Sequence, residues 1–479
     1  MKKLTAVITV LLITVISAQD KKALNDYVNN FVKLYNVPSF AAGIADSKEI
    51  IWSYATGFSD LENEVPASTK SVYRIASVSK AITGVAILQL VDAGKIRLDD
   101  DVRKYITWFP KKNFTITIRQ ILNHTSGIRT YKSSEEFNST KAFSGFYDAI
   151  MSFANDTLMA RPGTKYIYSS LAYNLLAVVI ETASKTSFAN YLQKNIFDPA
   201  GMKSAILDYQ SKIIPKRARG YSRYEDRFLK NAPLADLTIK YPGGGILSNL
   251  EDLLRFGIAL NNGRLLRPAM LDTAFTPGTL LNGNKIEYGL GFATFKDPEG
   301  RKYFGHLGGG TGFKSALLIQ PDEKLTVVYL TNIQDDYLYH PLYNLLSIYR
   351  GEKHEPLPIP YADTLYRIAN TFSADSAISY YERIKNPDAS KAFLYTSLIN
   401  AAKFLLAVKN NKAAIQLSSH AVILNDNSVP ALLVQAEAFY NDNNKGLALK
   451  IYRKILKLDP DNSRARSMIS RIMKETGLK

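Results

Sequence analysis

The sequence predicts an α/β (α+β) domain followed by an all-α domain of helical repeats. The first is expected to be an antiparallel sheet flanked by helices, with a helical subdomain completing a cleft. Three observations carry that prediction. β-Prone runs lie at both ends of 19–350: Ala41–Asp46 and Glu49–Thr56, then Lys302–Gly305, Lys314–Ile319 and Leu325–Asn332. The stretch between them mixes helices with loops. Past Tyr349 there is no strand signal, and the sequence repeats at an offset of 34 residues.

The elements follow in order. Residues 1–18 join Lys2 and Lys3 to an apolar run, Leu4 to Ile16, and end in the small pair Ser17-Ala18. That is the pattern of a secretory signal peptide cut after Ala18. The run is too short for a bilayer span, which takes about 20 residues. The mature chain is therefore expected to be secreted or periplasmic, with no transmembrane segment. The domain 19–350 opens with a hairpin around Ser47-Lys48. From Ser79 to Ala93, the residues Ile82, Val85, Ala86, Gln89 and Leu90 recur at helical spacing, and Gly94 stops the helix. Leu171–Ser184 is an apolar helix with Ser170 as its expected cap. Ser248-Asn249-Leu250-Glu251 has the capping-box pattern for a helix ending near Leu260. The late strands turn at Pro321-Asp322-Glu323-Lys324. Pro356, Pro358 and Pro360 make 351–362 an extended linker.

In 363–479, Asn410, Ala414, Ala421 and Leu424 recur as Asn444, Ala448, Ile455 and Leu458. The second unit resembles the tetratricopeptide family. Ala436, Phe439, Ala448, Tyr452 and Pro460 take its small, aromatic, small, aromatic and proline positions. Stacked helix pairs of that kind leave a concave groove, here expected to hold a protein partner.

Composition narrows the chemistry. The 479 residues are 46% hydrophobic and contain no cysteine. Disulfides, cysteine-ligated metal and a thiol nucleophile are excluded. The net charge of +17 is spread along the chain without a nucleic-acid reader motif, so no nucleic-acid partner is expected. No cofactor and no metal are expected either.

Three segments carry chemical promise. Ser77-Val78-Ser79-Lys80 is the one S-x-x-K in the chain and stands where a loop meets an apolar helix. There the Ser77 hydroxyl sits at the positive helix end, and Lys80, one turn on, shares its face. An amine with a lowered pKa can take the serine proton. Pro162-Gly163 leads to Tyr168-Ser169-Ser170, and a tyrosine near two cations can ionise enough to act as a base. Gly305-His306-Leu307-Gly308-Gly309-Gly310 is a glycine-rich strand–loop whose backbone N–H groups suit an oxyanion.

In that order the motifs resemble the serine β-lactamase and penicillin-binding-protein superfamily, in its class C-like hydrolase and esterase branch. The resemblance covers about Leu24 to Tyr349. It is strengthened by Ile118 to Ile128 with its His124-Thr125-Ser126-Gly127, by Phe197 to Met202, and by Tyr288-Gly289-Leu290-Gly291-Phe292. It implies Ser77 as the acyl-accepting nucleophile and Lys80 as its activator. Tyr168 would be the lysine's partner and leaving-group proton donor, and His306 would stand at the lysine position of the K-T-G motif. Ser170 and Gly308 would fall in the substrate-binding triplets. The N–H groups of Ser77 and Gly309 would form the oxyanion hole. Two departures shape the expected substrate. Ser170 replaces an asparagine, and His306-Leu307-Gly308 lacks the ammonium and hydroxyl that hold a substrate carboxylate. The first weakens contact with a substrate amide; the second argues for an ester, amide or peptide substrate over efficient β-lactam hydrolysis. The alternative is a catalytically silent relative whose repeats bind a partner.

Overall fold

The computed structural model describes residues 18–223, 227–335, 341–385 and 391–477. The expected signal peptide lies outside them except for Ala18, where a helix running to Tyr35 begins. The chain divides into two compact units. The larger runs to Pro356; the second joins Arg223–Lys230 to Leu357–Lys479.

The larger unit is built on a seven-stranded sheet. Its order is Val65–Pro66, Ile50–Asp60, Ser39–Ala45, Leu325–Thr331, Phe313–Gln320, Lys302–Gly310 and Ala293–Lys296. Every neighbour is antiparallel. The N-terminal hairpin and the late strands thus meet at Ser39–Ala45 beside Leu325–Thr331. Both strands are buried along their whole length, which is why they are runs of apolar residues and not alternating ones. Each face has its own cover. Phe40 stacks on Tyr329 at 5.2 Å and meets Phe31 of the N-terminal helix at 4.6 Å. On the other face, Leu254 of the helix Leu250–Asn261 presses on Gly43, where a Cβ would lie 2.6 Å from the leucine methyl.

The helix Ser79–Asp92 is buried on nearly every side, so its apolar residues form no single stripe. One side closes on the backbone at Leu290–Gly291. A Cβ on Gly84 would lie 2.7 Å from the Leu290 carbonyl, so only glycine lets the two segments touch.

Four local expectations are corrected. The helix at 250 is capped by Asn249, whose side chain accepts from the Asp252 N–H; Ser248 is a strand residue. The apolar helix starts at Tyr173 without a side-chain cap; Ser169 accepts from the Ala172 N–H, and the Ser170 hydroxyl is engaged elsewhere. The glycine-rich segment is continuous strand through Gly310, because its partner strand pairs with it residue by residue from Phe304 to Gly310. The helix placed after the linker begins at Tyr361, inside 351–362.

The second unit is helical from Tyr361 to Thr476 among the described residues. Its late helices repeat at the offset seen in the sequence. Asn410 and Asn444 cap Asn411–Leu424 and Lys445–Leu458, and Ser428 and Asn462 cap the helices that follow each. Ala402, Ala414, Ala421, Ala436 and Ala448 are fully buried, which lets neighbouring helices approach closely.

Two glycine substitutions test this packing. Gly84→Ala is expected to cost about 1–3 kcal/mol through overpacking. Gly446→Ala, in a helix with open space around it, should stabilise by about 0.4–1 kcal/mol. Thermal unfolding of both variants checks the pair; equal shifts would contradict the close approach at Gly84.

Candidate active site

Ser77 occupies a short 3-10 turn, Ala76–Val78, that runs straight into the helix beginning at Ser79. Ala76 has φ of 45°, a left-handed conformation worth about 1–3 kcal/mol of strain in a residue with a Cβ. The strand beside it holds the turn. Ser315 Oγ donates to the Ile75 carbonyl at 2.7 Å. A Cβ on Gly308 would lie 2.5 Å from that carbonyl, so glycine is needed there for contact. Gly308 therefore positions the Ser77 turn, whereas Gly309, exposed and with open space where a Cβ would stand, faces the cleft.

Lys80 is fully buried. Its Nζ lies 3.2 Å from Ser77 Oγ, 2.9 Å from Ser170 Oγ and 2.5 Å from the Gly243 carbonyl. Burial first, and the charge of Lys240 second, hold its pKa well below the usual 10.5. A neutral amine has two N–H bonds and one lone pair. In that form Gly243 and Ser170 can take the two N–H bonds and the lone pair can accept the Ser77 proton.

The Tyr168 ring centre is 4.7 Å from Nζ. Burial raises the phenol's pKa, and hydrogen bonding with Ser77 and Ser170 opposes that only in part. Tyr168 is thus a protonated phenol. This corrects the expectation of an ionised base: burial outweighs the hydrogen bonds from Ser77 and Ser170 that would favour a phenolate.

His306 sits on the glycine-rich strand, buried, with its pKa lowered to about 3 by burial and then by Lys80. Its Nδ1–H donates to the Leu307 carbonyl at 2.5 Å. Nε2 is left as the acceptor, and Tyr288 donates to it at 3.0 Å. The Tyr168 hydroxyl is farther, at 3.5 Å. Tyr288 satisfies the imidazole, so the Tyr168 proton remains available toward Ser77.

The structure thus joins Ser77, Lys80, Tyr168, Ser170 and His306 in one set of contacts, of which Ser77 and Ser170 line the pocket, with Gly308 behind the serine turn and Gly309 on the open face. Three neighbours were not singled out from the sequence. His124 and Tyr288 lie inside the quoted segments, but nothing in their spacing marks them as site residues. His124 packs 4.3 Å from Tyr168 and 4.7 Å from Tyr288, and its Nδ1 accepts from the Ser169 N–H. Lys240 belongs to no motif and lines the same pocket as Ser77. Among the described residues no cluster of three histidine or acidic side chains could hold a metal.

The Beta-lactamase family profile matches residues 24–346. The chain belongs to the beta-lactamase family. It is 29% identical over 379 residues to the human mitochondrial serine beta-lactamase-like protein LACTB, covering 60% of this chain and 69% of that one. It is also 29% identical over 310 residues to penicillin-binding protein 4* of Bacillus subtilis, covering 62% and 68%. Among solved structures, the octameric penicillin-binding protein homologue of Pyrococcus abyssi superposes with a TM-score of 0.61 at 22% identity, over 72% of this chain and 81% of that one. The D-amino acid amidase of Ochrobactrum anthropi does so with 0.60 at 21% identity, over 69% and 96%. The fold is therefore beta-lactamase-like, and the family is one of serine hydrolases.

The buried histidines give a pH prediction. His124 and His306 are held neutral in the fold, with pKa values below the unfolded 6.5. Their contribution to stability is complete above pH 6.5 and is lost on acidification, by about 1.4 kcal/mol per pH unit for each proton the unfolded chain takes up. Unfolding free energy should therefore fall between pH 7 and 5, and His306→Gln should flatten that slope. An unchanged slope would contradict a buried neutral imidazole.

Proposed function

We propose that this protein hydrolyses an ester, amide or peptide bond through an acyl-enzyme on Ser77. The observation that carries the reading is the buried Lys80 amine, its pKa held well below the usual range, with Nζ 3.2 Å from Ser77 Oγ and within hydrogen-bond reach of Ser170 and the Gly243 carbonyl. Lys80 takes the Ser77 proton as Oγ attacks the substrate carbonyl. The oxyanion develops toward the backbone N–H groups of Ser77 and Gly309. Tyr168 gives its proton to the leaving group and recovers one from Lys80. Water then attacks the ester, passing its proton back through the same pair, and Ser77 Oγ leaves with a proton.

Other proteins of this fold support that substrate range: the D-amino acid amidase, and EstCE1, described as a hydrolase with promiscuous acyltransferase activity. A neutral His306 and the apolar Leu307 put no cation at the two positions of the strand that face a substrate carboxylate in the family motif, so penicillins should be poor substrates. Export through residues 1–18 and a tetratricopeptide-like groove for a protein partner in 363–479 belong to the same proposal. They rest on the leader's composition and on the caps and alanines repeating every 34 residues.

A fluorescent fluorophosphonate should label the wild-type protein and not Ser77→Ala. Lys80→Ala should slow labelling and nitrophenyl-ester hydrolysis by roughly 10²–10⁴-fold. Rates within about twofold of wild type would remove Lys80 from the chemistry.

A further inference from the structure

Lys240 is the second buried lysine beside Ser77. It is only 4% exposed. Its Nζ donates to the Phe137 carbonyl at 2.5 Å and lies over the rings of Phe137 and Tyr131, at 3.9 and 5.0 Å. Among the described residues no carboxylate lies within ion-pair distance of it. Arg74 shares the pocket, but Asp208 takes its Nε, while the Thr311 and Ala235 carbonyls take its other nitrogens. A buried ammonium without an anion is costly, and its pKa is accordingly lowered to about 7, by burial and then by Arg74. It therefore keeps charge and N–H bonds to offer near neutral pH.

The pocket it lines also contains Ser77, Ser170, Gly309 and Thr311. It has room for roughly one water-sized group, about 20 Å³. Tyr168 and His306, which stand on the proton-donating side, do not line it. A cavity of about 680 Å³ opens from the same Arg74 and Thr311 and could take the rest of a larger molecule.

We propose that Lys240 is a specificity-determining residue that binds a carboxylate on the acyl part of the substrate, one carboxylate oxygen filling the space beside Ser77. This inference rests on the Ser77 acyl-enzyme reading and narrows its substrate class to acidic acyl groups. The carboxylate supplies the missing anion, and the lysine gains a charge-assisted hydrogen bond that a carboxamide of the same shape cannot match.

The test uses the full-length protein and two matched amides of aminomethylcoumarin, one glutaryl and one glutaramoyl, with fluorophosphonate labelling of Ser77 run in parallel. Free glutarate and glutaramate serve as protectants in the labelling assay. Wild type should favour the carboxylate, in kcat/KM or in protection, by roughly ten- to hundredfold. Lys240→Met should bring that ratio close to one, and Lys240→Arg should retain most of it. A purely structural Lys240 would slow both twins alike and leave the ratio untouched; that result overturns the proposal. So does efficient labelling with neither twin hydrolysed nor protective. Failure of the wild type to label at all would instead remove the Ser77 reading on which the proposal stands.

Discussion

The site depends on one constraint: an amine buried where water cannot solvate its charge. Removing an ammonium from water costs several kcal/mol, and among the described residues no carboxylate contacts Lys80 to offset that cost. The amine responds with a pKa held well below the usual 10.5. Much of the surrounding fold maintains that dryness. The helix carrying Lys80 is apolar on nearly all sides, Gly84 lets the Leu290–Gly291 backbone close on it, and Gly243 lies so near Ser170 that a Cβ would stand 2.6 Å from its carbonyl. A hydroxyl and a carbonyl fixed in this way hold the Lys80 Nζ beside Ser77 Oγ.

A layer of neutral polar groups extends the same principle. Tyr173, Tyr288, His124 and His306 are buried beside the half-buried Tyr168, and loss of solvent keeps the phenols protonated and the imidazoles uncharged. Such a layer can pass hydrogen bonds without placing a net charge under the serine. Lys240 differs, since it stands at the pocket wall with its pKa near neutrality and influences Lys80 through its charge.

The sheet, the serine helix and the helical tail were legible because each rests on periodicity or on a run of apolar residues. Ser77 and Lys80 were legible because three residues along a helix set their distance whatever the rest of the chain does. The Ser170 contact was not, since it depends on where Tyr173–Ser184 docks. Tyr288 was missed for a similar reason: it reaches His306 across 18 residues of sequence and a strand pairing. The Tyr168 charge state was misjudged because motif spacing carries no information on burial. Nor does the sequence signal that Arg223–Lys230 joins the second unit; there Arg227 meets Asp363 at 2.7 Å and lies over the Phe404 ring at 4.3 Å.

The protonation state of Lys80 tests this account most directly. It can be followed by NMR of protein labelled with ¹³C at the lysine ε carbon, the resonance being assigned by its absence in Lys80→Arg. The account predicts a titration well below 10.5. A Lys80 signal that stays ammonium-like until pH 10 would mean that the pocket holds a charge, and the serine would lose its base.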